Sequence, residues 1–319
     1  MFDLPALDVQ ELSRFLGARL AANVRRVSPL GAGQWSRAFS FDTECTSFVV
    51  RLGDQKEDFE KDRIAASWRQ PGLPVPRFID MGEAFGTFYA ITARAEGTFL
   101  DHLTRNEVGK VFPSLLRVLD AQRRIPVAQG AGFGLWDGTG IAEHRSWKDA
   151  LLAVATERPR IAGWRRRLRE WPECEHAFYQ GVERLRTLAE HVPSTQHVIH
   201  SDLLNRNVLV KNAKITSVFD WGCSMYGDHL YDIAWLTFCA PYTSGFDRIE
   251  IRRWAQQHYL NEGCDRDDFD HRIGCYELHI ALAALTYSAF LGDEGAARSL
   301  VTQHLAIPTH KGSAVPLGD

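Results

Sequence analysis

The chain has 319 residues, 45% of them hydrophobic and 24% charged, and its formal net charge is −3. A chain of this length and composition can bury a sizeable core and is typical of an ordinary globular protein. The first residues lack the basic and apolar regions of a signal peptide, and no apolar run approaches the roughly 20 residues of a membrane helix. The six cysteines show no Cys-x-x-Cys spacing. We therefore expect a cytoplasmic monomer with reduced thiols and no membrane partner.

Apolar periodicity predicts a small first lobe that comprises residues 1–95. Its expected elements are a helix over 8–20, strands over 24–30, 37–41 and 48–52, a helix over 58–68, and strands over 77–81 and 88–93. The five strands are expected to form one antiparallel sheet.

The second lobe, residues 96–319, is predicted to be mainly helical. The expected helices cover residues 107–124, 147–156, 173–191, 230–239, 249–260, 267–291 and 296–304. Only three short strands are expected to interrupt them, at 197–200, 208–210 and 215–219. The sequence therefore predicts a bilobal α+β protein.

The polar residues that say most about function follow the first and third of these strands. Asp202 and Asn207 lie five residues apart after the first strand, and Asp220 follows the third. In ATP-dependent phosphoryl transfer one Asp orients the attacking hydroxyl, while an Asn and a second Asp bind Mg²⁺. Asp202 and Asn207 alone could be loop residues that cap their own backbone. The second Asp at this distance favours a protein-kinase-like catalytic loop.

The residues after Asp220 distinguish between the classes of kinase that such a loop could belong to. Only seven residues separate Asp220 from Asp228, which leaves no room for the long activation segment of a protein kinase. The run Asp-Trp-Gly-Cys-Ser-Met-Tyr-Gly-Asp-His-Leu-Tyr-Asp at 220–232 resembles the aminoglycoside phosphotransferase family, and the resemblance extends over most of the chain. It implies a small-molecule kinase in which Asp202 is the catalytic base and His200 packs beneath the loop.

Within that family, several segments are similar in order and spacing to those of the hygromycin B phosphotransferases. They lie at 36–42, 74–76, 132–134, 147–149 and 215–221. This resemblance implies phosphorylation of hygromycin B and resistance to that antibiotic. Ser201 stands where many family members have Gly, but this departure removes no catalytic group.

The phosphates of the nucleotide are expected to lie between the first loop and the third strand. Gly31, Gly33 and Ser36 surround the first turn between strands, where glycine lets the backbone approach phosphate oxygens. Arg51 stands on the third strand where most kinases have Lys, and it can bind phosphate through two donors. The hygromycin phosphotransferases share this arginine.

Two further parts of the nucleotide site follow from the kinase pattern. The ion-pair partner of Arg51 should lie on the next helix, where Glu60, Asp62 and Glu57 are all candidates. The adenine is expected at the junction of the lobes, so Thr92 and Arg94 complete the predicted nucleotide-binding residues.

The distribution of charge bears on the phosphate acceptor. Residues 220–319 contain 14 Asp and Glu against 7 Lys and Arg, whereas residues 1–219 contain 26 against 30. The acidic region should attract a cationic acceptor and repel nucleic acid, although a solvated acidic surface has the same composition. The carboxylates expected to bind the acceptor are Asp228, Asp232, Asp268 and Glu277.

Three functions are compatible with these motifs. The favoured one is an ATP-dependent and Mg²⁺-dependent O-phosphotransferase that inactivates an aminoglycoside, with hygromycin B as the acceptor. The alternative is a kinase of a metabolic hydroxyl compound, such as choline, an amino acid or a sugar, on the same fold. The third is a nucleotide-binding protein without catalysis, which the intact Asp202, Asn207 and Asp220 disfavour.

Overall fold

The structure is a computed structural model that describes residues 8–263 and 268–305. Its helices and strands, in chain order, are α1 (Val9–Leu20), β1 (Arg25–Ala32), β2 (Ser36–Asp42), β3 (Ser47–Gly53), α2 (Lys56–Ser67), β4 (Phe78–Ala84), β5 (Thr87–Ala93), β6 (Thr98–Phe99), α3 (Arg105–Arg123), β7 (Phe133–Trp136), β8 (Ala142–His144), α4 (Trp147–Leu152), α5 (Trp164–Arg169), α6 (Pro172–Leu188), β9 (His197–Ile199), β10 (Val208–Lys211), β11 (Lys214–Val218), β12 (Met225–Gly227), α7 (Leu230–Cys239), α8 (Arg248–Asn261), α9 (Phe269–Leu291) and α10 (Glu294–Leu300).

The chain divides into two compact units. The first consists of Met1–Ala150 and Pro193–Ile273, and the second of Leu151–Val192 and Gly274–Asp319. The predicted lobe boundary at residue 95 lies inside the first unit, and a division into lobes at that point stays a prediction.

A five-stranded sheet in the first unit confirms the predicted antiparallel sheet. Its strand order is β1-β2-β3-β5-β4. Because side chains alternate along a strand, Arg51 of β3 lies on the opposite face from its neighbours Val50 and Leu52. Those two belong to the core that α1 covers with Leu12 and Leu16. Helix α1 therefore occupies one face of the sheet, and Arg51 stands on the other.

Two smaller sheets hold the predicted catalytic strands. Strand β10 pairs with β11 and β6, while β12 pairs with β9, with Met225 opposite Ile199. The loop of residues 200–207 connects β9 to β10, and residues 219–224 connect β11 to β12. Because β9 and β12 are antiparallel neighbours, the end of β9 and the start of β12 lie together, which brings these two loops close.

Several elements differ from the sequence-based expectation. The strands β6, β7, β8 and β12 were not predicted, since runs of two to four residues are too short to show a two-residue period. Helix α5 was also missed, and the helix expected over 147–156 ends at Leu152. Asp267, the first residue of the helix expected over 267–291, lies outside the described residues.

The second unit is helical in its described part. The ring of Trp164 on α5 lies edge-on to Phe178 of α6, with 5.0 Å between the ring centroids. Gly181 of α6 faces Leu282 of α9 so closely that an added Cβ would lie 2.8 Å from that side chain. The small residue at 181 therefore lets the two helices approach.

Helix α9 is long and apolar enough to cross a membrane by length and composition, with a mean hydropathy of 1.2 over 18 residues. The helix itself was predicted from the sequence, but polar residues such as Glu277 and His279 interrupt its apolar run, so it did not meet the sequence criterion for a membrane helix. However, 72% of that stretch is buried within the protein, as in the core helix of a globular protein.

The packing of α1 against the sheet makes a testable contribution to stability. Leu16 is completely buried, so Leu16→Ala should lower the free energy of unfolding by about 2–4 kcal/mol through lost burial and a residual cavity. Arg14→Ala on the exposed side of the same helix is the matched control. Urea unfolding followed by tryptophan fluorescence measures both, and equal losses for the two variants would contradict the packing assigned to α1.

Candidate active site

The loop between β9 and β10 closes around the carboxylate of Asp202. Asn207 donates from Nδ2 to Asp202 Oδ2 at 3.0 Å and to the Asp202 backbone carbonyl at 2.8 Å. Asn205 Nδ2 donates to the other carboxylate oxygen. The sequence reasoning missed Asn205, although an amide three residues after an Asp in a tight turn is a recognisable local pairing. The loop therefore presents a carboxylate that its own side chains hold in place.

The buried carboxylate of Asp232 binds the backbone at the start of this loop. It accepts hydrogen bonds from the backbone N–H groups of His200 and Ser201, at 3.0 and 2.7 Å, and from Gln122 at 2.6 Å. Ser201 has a φ of 59°, in the left-handed region that is costly for a residue other than glycine. Its hydroxyl donates to the carbonyl of Cys223 at 2.6 Å. These bonds explain how a serine is held where many family members have glycine.

His200 connects the loop to the strand that leads to Asp220. Its Nε2 lies 3.1 Å from the carbonyl oxygen of Phe219, and its Nδ1 accepts from the backbone N–H of Asp202 at 3.3 Å. A carbonyl can only accept, so Nε2 carries the proton and the ring is neutral. Burial lowers the pKa of His200, in agreement with that neutral form. The ring positions the backbone of the loop.

The predicted arginine on β3 binds two carboxylates. Arg51 Nη1 lies 2.6 Å from Asp62 Oδ2, and its Nη2 lies 3.0 Å from Asp220 Oδ1. Of the three candidate partners, Asp62 therefore forms the ion pair. Glu60 pairs with Lys56 at 3.1 Å, and Glu57 is exposed.

Asp62 also holds the backbone that follows Asp220. Its second oxygen accepts from the N–H of Trp221 at 2.9 Å, so one carboxylate binds both Arg51 and the loop. Burial raises the pKa of Asp62, while the charge of Arg51 opposes that rise. Asp220 itself has a φ of 64° and a side chain that is 39% exposed. The structure thus fixes Asp220 through its neighbours and leaves part of its carboxylate accessible.

The catalytic candidate Asp202 has an unusual protonation equilibrium. Burial raises the pKa of its carboxyl group to about 8, and the negative charge of Asp220 adds to that rise. The hydrogen bonds from Asn205 and Asn207 oppose it. The two carboxyl groups are therefore close enough to influence each other, with Asn207 between them in the sequence.

The remaining nucleotide-binding candidates lie along the same sheet. Gly31 and Gly33 are exposed at the first turn, where Gly33 N–H donates to the carbonyl of Ser36 at 2.8 Å. Thr92 pairs with Val49, two residues from Arg51, so Thr92 shares the face that carries Arg51.

Arg94 is exposed just after β5, and its backbone N–H donates to the carbonyl of Ser47 at 3.0 Å. The roles of Gly31, Gly33, Ser36, Thr92 and Arg94 in nucleotide binding stay predictions.

The structure corrects two of the four predicted acceptor contacts. Asp228 is completely buried, and its oxygens accept from Arg272 at 2.6 and 2.7 Å. Asp232 is 1% exposed and supports the catalytic loop as described above. Both carboxylates are used inside the protein, because a buried charge requires partners. They are therefore not available to an acceptor.

The other two acceptor candidates stay predictions. Asp268 is exposed immediately before α9. Glu277 lies on α9 in the second unit and is 7% exposed.

Comparison with known proteins identifies relatives along most of the chain. The profile of the phosphotransferase enzyme family, abbreviated APH, matches residues 26–263. Hygromycin-B 4-O-kinase from Escherichia coli is 29% identical over 291 residues, which cover 91% of this chain and 82% of that protein.

Solved structures show the same relationship. A crystal structure of a thermostable mutant of the aminoglycoside phosphotransferase APH(4)-Ia, in ternary complex with AMP-PNP and hygromycin B, has a TM-score of 0.77 and 28% identity. The match covers 92% of this chain and 98% of that one. The streptomycin-ATP complex of APH(2″)-IIa has a TM-score of 0.62 at 15% identity, covering 96% of this chain and 98% of that one, and shows the fold alone. The predicted resemblance and the kinase-like fold are confirmed.

The raised pKa of Asp202 predicts a pH-dependent stability difference. Folding favours the protonated acid, so the contribution of Asp202 to stability should fall as the pH rises from about 4 towards the folded pKa of about 8. Asp202→Asn stays neutral, so its melting temperature should exceed that of the wild type by a margin that grows over this range. Thermal melting of the ligand-free proteins between pH 4 and 8.5 measures the difference, and a margin independent of pH would contradict the shift.

Proposed function

This chain belongs to the phosphotransferase enzyme family, and we propose that it transfers the γ-phosphate of ATP to a hydroxyl group of hygromycin B. One observation carries the proposal. The carboxylate of Asp202 is held by two amides beside Asp220, and Arg51 anchors Asp220 to the face of the sheet. This arrangement provides a group for the acceptor and a charged site for the phosphates.

Asp202 is the group that binds the acceptor hydroxyl. Asn205 and Asn207 fix its orientation, so the hydroxyl can be held in line with the phosphorus that it attacks. The carboxylate accepts the hydroxyl proton as the new phosphate ester forms. Orientation of the acceptor hydroxyl supplies most of the rate enhancement expected from Asp202. In a loose transition state the hydroxyl needs to lose its proton only late in the reaction.

The residues around Asp220 fit a magnesium site. Asn207 uses its Nδ2 to bind Asp202, which leaves its amide oxygen for a cation, and Asp220 uses only Oδ1 to bind Arg51. Amide and carboxylate oxygens are the hard donors that Mg²⁺ prefers. Mg²⁺ bound there would neutralise phosphate charge and offset the charge of Asp220, which is one cause of the raised pKa of Asp202.

Hygromycin B as the acceptor is supported by the similarity to the E. coli hygromycin-B 4-O-kinase and by the excess of acidic residues after residue 220. The name of that relative suggests position 4 of the drug as the phosphorylated hydroxyl. A polyamine sugar is cationic, so acidic surroundings would raise its local concentration. We further propose a monomeric enzyme in the cytoplasm, where such a drug reaches the ribosome.

The ion pair of Arg51 should control nucleotide affinity. Asp62→Asn keeps an oxygen for the N–H of Trp221 but removes the charge that pairs with Arg51, so Asp220 is left as the one carboxylate that holds Arg51 among the contacts described above. We expect affinity for Mg-ATP to fall by about tenfold or more. Calorimetric titration measures it, with Glu60→Gln and Glu57→Gln as matched controls that should bind Mg-ATP like the wild type. Similar losses in all three variants would contradict a specific role for Asp62.

Growth of a susceptible bacterium tests the proposed activity directly. Cells expressing the wild-type chain should grow on hygromycin B, whereas cells expressing Asp202→Asn at the same level should not, because turnover falls by orders of magnitude. Kanamycin and gentamicin plates measure the selectivity. Absence of protection against all three drugs by a well-expressed protein would reject the antibiotic as acceptor, and a coupled assay of ADP release would then be applied to choline, amino acids and sugars.

A further inference from the structure

Lys61 of α2 is a buried lysine that the phosphoryl-transfer site described above does not use. Its side chain is 1% exposed, and its ammonium group donates to the carbonyls of Gly222 and Ser224 at 2.8 and 3.1 Å. The same group lies 4.6 Å from the centroid of the Trp136 ring. Removing an ammonium group from water is costly unless such contacts replace the lost hydration. A buried cation at this position therefore indicates a specific role.

The residues that Lys61 binds lie between Asp220 and β12, and they contact the loop that carries Asp202. Gly222 and Ser224 lie on either side of Cys223, whose carbonyl accepts the hydroxyl hydrogen bond of Ser201. The carbonyls at 222 and 224 are thus bound by α2, and the carbonyl between them is bound by the catalytic loop. We call residues 221–224 the bridge segment.

Helix α2 binds both ends of the bridge segment through adjacent residues. Asp62 accepts from the N–H of Trp221 at the start, and Lys61 binds carbonyls up to Ser224 at the end. The helix also approaches closely, since a Cβ at position 222 would lie 2.8 Å from Asp58 Oδ1. A larger residue at 222 would have to displace the side chain of Asp58, so glycine at this position favours the close approach of α2.

We propose that Lys61 is a positioning residue that transmits the placement of α2 to the catalytic loop through the bridge segment. The ion pair between Arg51 and Asp62 joins α2 to β3, on the face of the sheet where the nucleotide is expected. Lys61 and Ser201 then bind neighbouring carbonyls of the bridge segment, and Ser201 immediately precedes Asp202. This inference rests on the proposed phosphotransferase function, since its kinetic consequence is the alignment of Asp202 with the γ-phosphate.

Lys61→Met tests the proposal with little change in side-chain length, and methionine keeps an apolar contact with Trp136. Lys56→Met is the matched control, because Lys56 lies on the same helix, is exposed and pairs only with Glu60 among the contacts described above. Both variants remove one positive charge from α2.

The first measurement needs no acceptor, so it stands even if hygromycin B is the wrong substrate. Hydrogen–deuterium exchange of a peptide covering residues 221–225 should accelerate by about fivefold or more in Lys61→Met and stay unchanged in Lys56→Met. A peptide from β2 (Ser36–Asp42) serves as the internal reference. Unchanged exchange in the 221–225 peptide of a folded Lys61→Met protein would overturn the proposal.

The second measurement separates positioning from nucleotide binding. Misplacement of Asp202 should lower kcat by about tenfold to a hundredfold in Lys61→Met, while the KM and Kd for Mg-ATP should stay within about threefold, because Arg51, Asp62 and Asp220 are retained. Equal losses in kcat and Mg-ATP affinity would overturn the proposal, as would a kcat equal to that of Lys56→Met.

Ser201→Ala provides a second route if Lys61→Met does not fold. It removes the hydrogen bond to the bridge segment from the side of the catalytic loop and retains the buried lysine. Exchange in the 221–225 peptide should again accelerate, and unchanged exchange would overturn the proposal. Where both single variants fold, their effects on kcat should be less than additive in the double variant, because both act through the same segment. Additive effects would overturn the proposal, because they would show that the two residues act independently.

Discussion

The carboxylate of Asp62 is the group on which the geometry of this active site depends. It is a buried charge that needs partners, and it takes two of them from distant parts of the chain: the guanidinium of Arg51 on β3 and the backbone N–H of Trp221. Arg51 in turn binds Asp220, which is 169 residues away in the sequence. Each of these charged groups is stabilised by a partner on another element, so the sheet, helix α2 and the loop after β11 must be in place together.

A second buried carboxylate organises the other half of the site in the same way. Asp232 accepts the N–H groups of His200 and Ser201, so it shapes the loop that carries Asp202 without facing the acceptor. His200 joins that loop to Phe219, the residue before Asp220. The result is that two loops with unfavourable backbone angles, at Ser201 and Asp220, are held by hydrogen bonds to buried groups. Strain at these positions is offset by the surroundings.

The raised pKa of Asp202 follows from this compact arrangement. Burial and the nearby charge of Asp220 both disfavour a second negative charge, and two amides offset only part of that cost. A positive charge bound beside the two carboxyl groups would lower the pKa of Asp202 and favour its ionised form. Such a site suits a metal ion beside Asp220 and a cationic acceptor beside Asp202, which is the combination that the proposed reaction requires.

The sequence by itself determined the five-stranded sheet and the three catalytic strands, because strand periodicity is a local property of the chain. The spacing of Asp202, Asn207 and Asp220 indicated a kinase-like catalytic loop, and the resemblance of residues 220–232 indicated the family. The sequence could not choose the partner of Arg51 among three acidic residues on one helix, since that choice depends on how α2 faces the sheet. It also misjudged Asp228, whose carboxylate is buried against Arg272 and is not open to an acceptor. Only the tertiary structure decides which charged side chains face inwards, because burial and ion pairing arise from contacts between residues far apart in the chain.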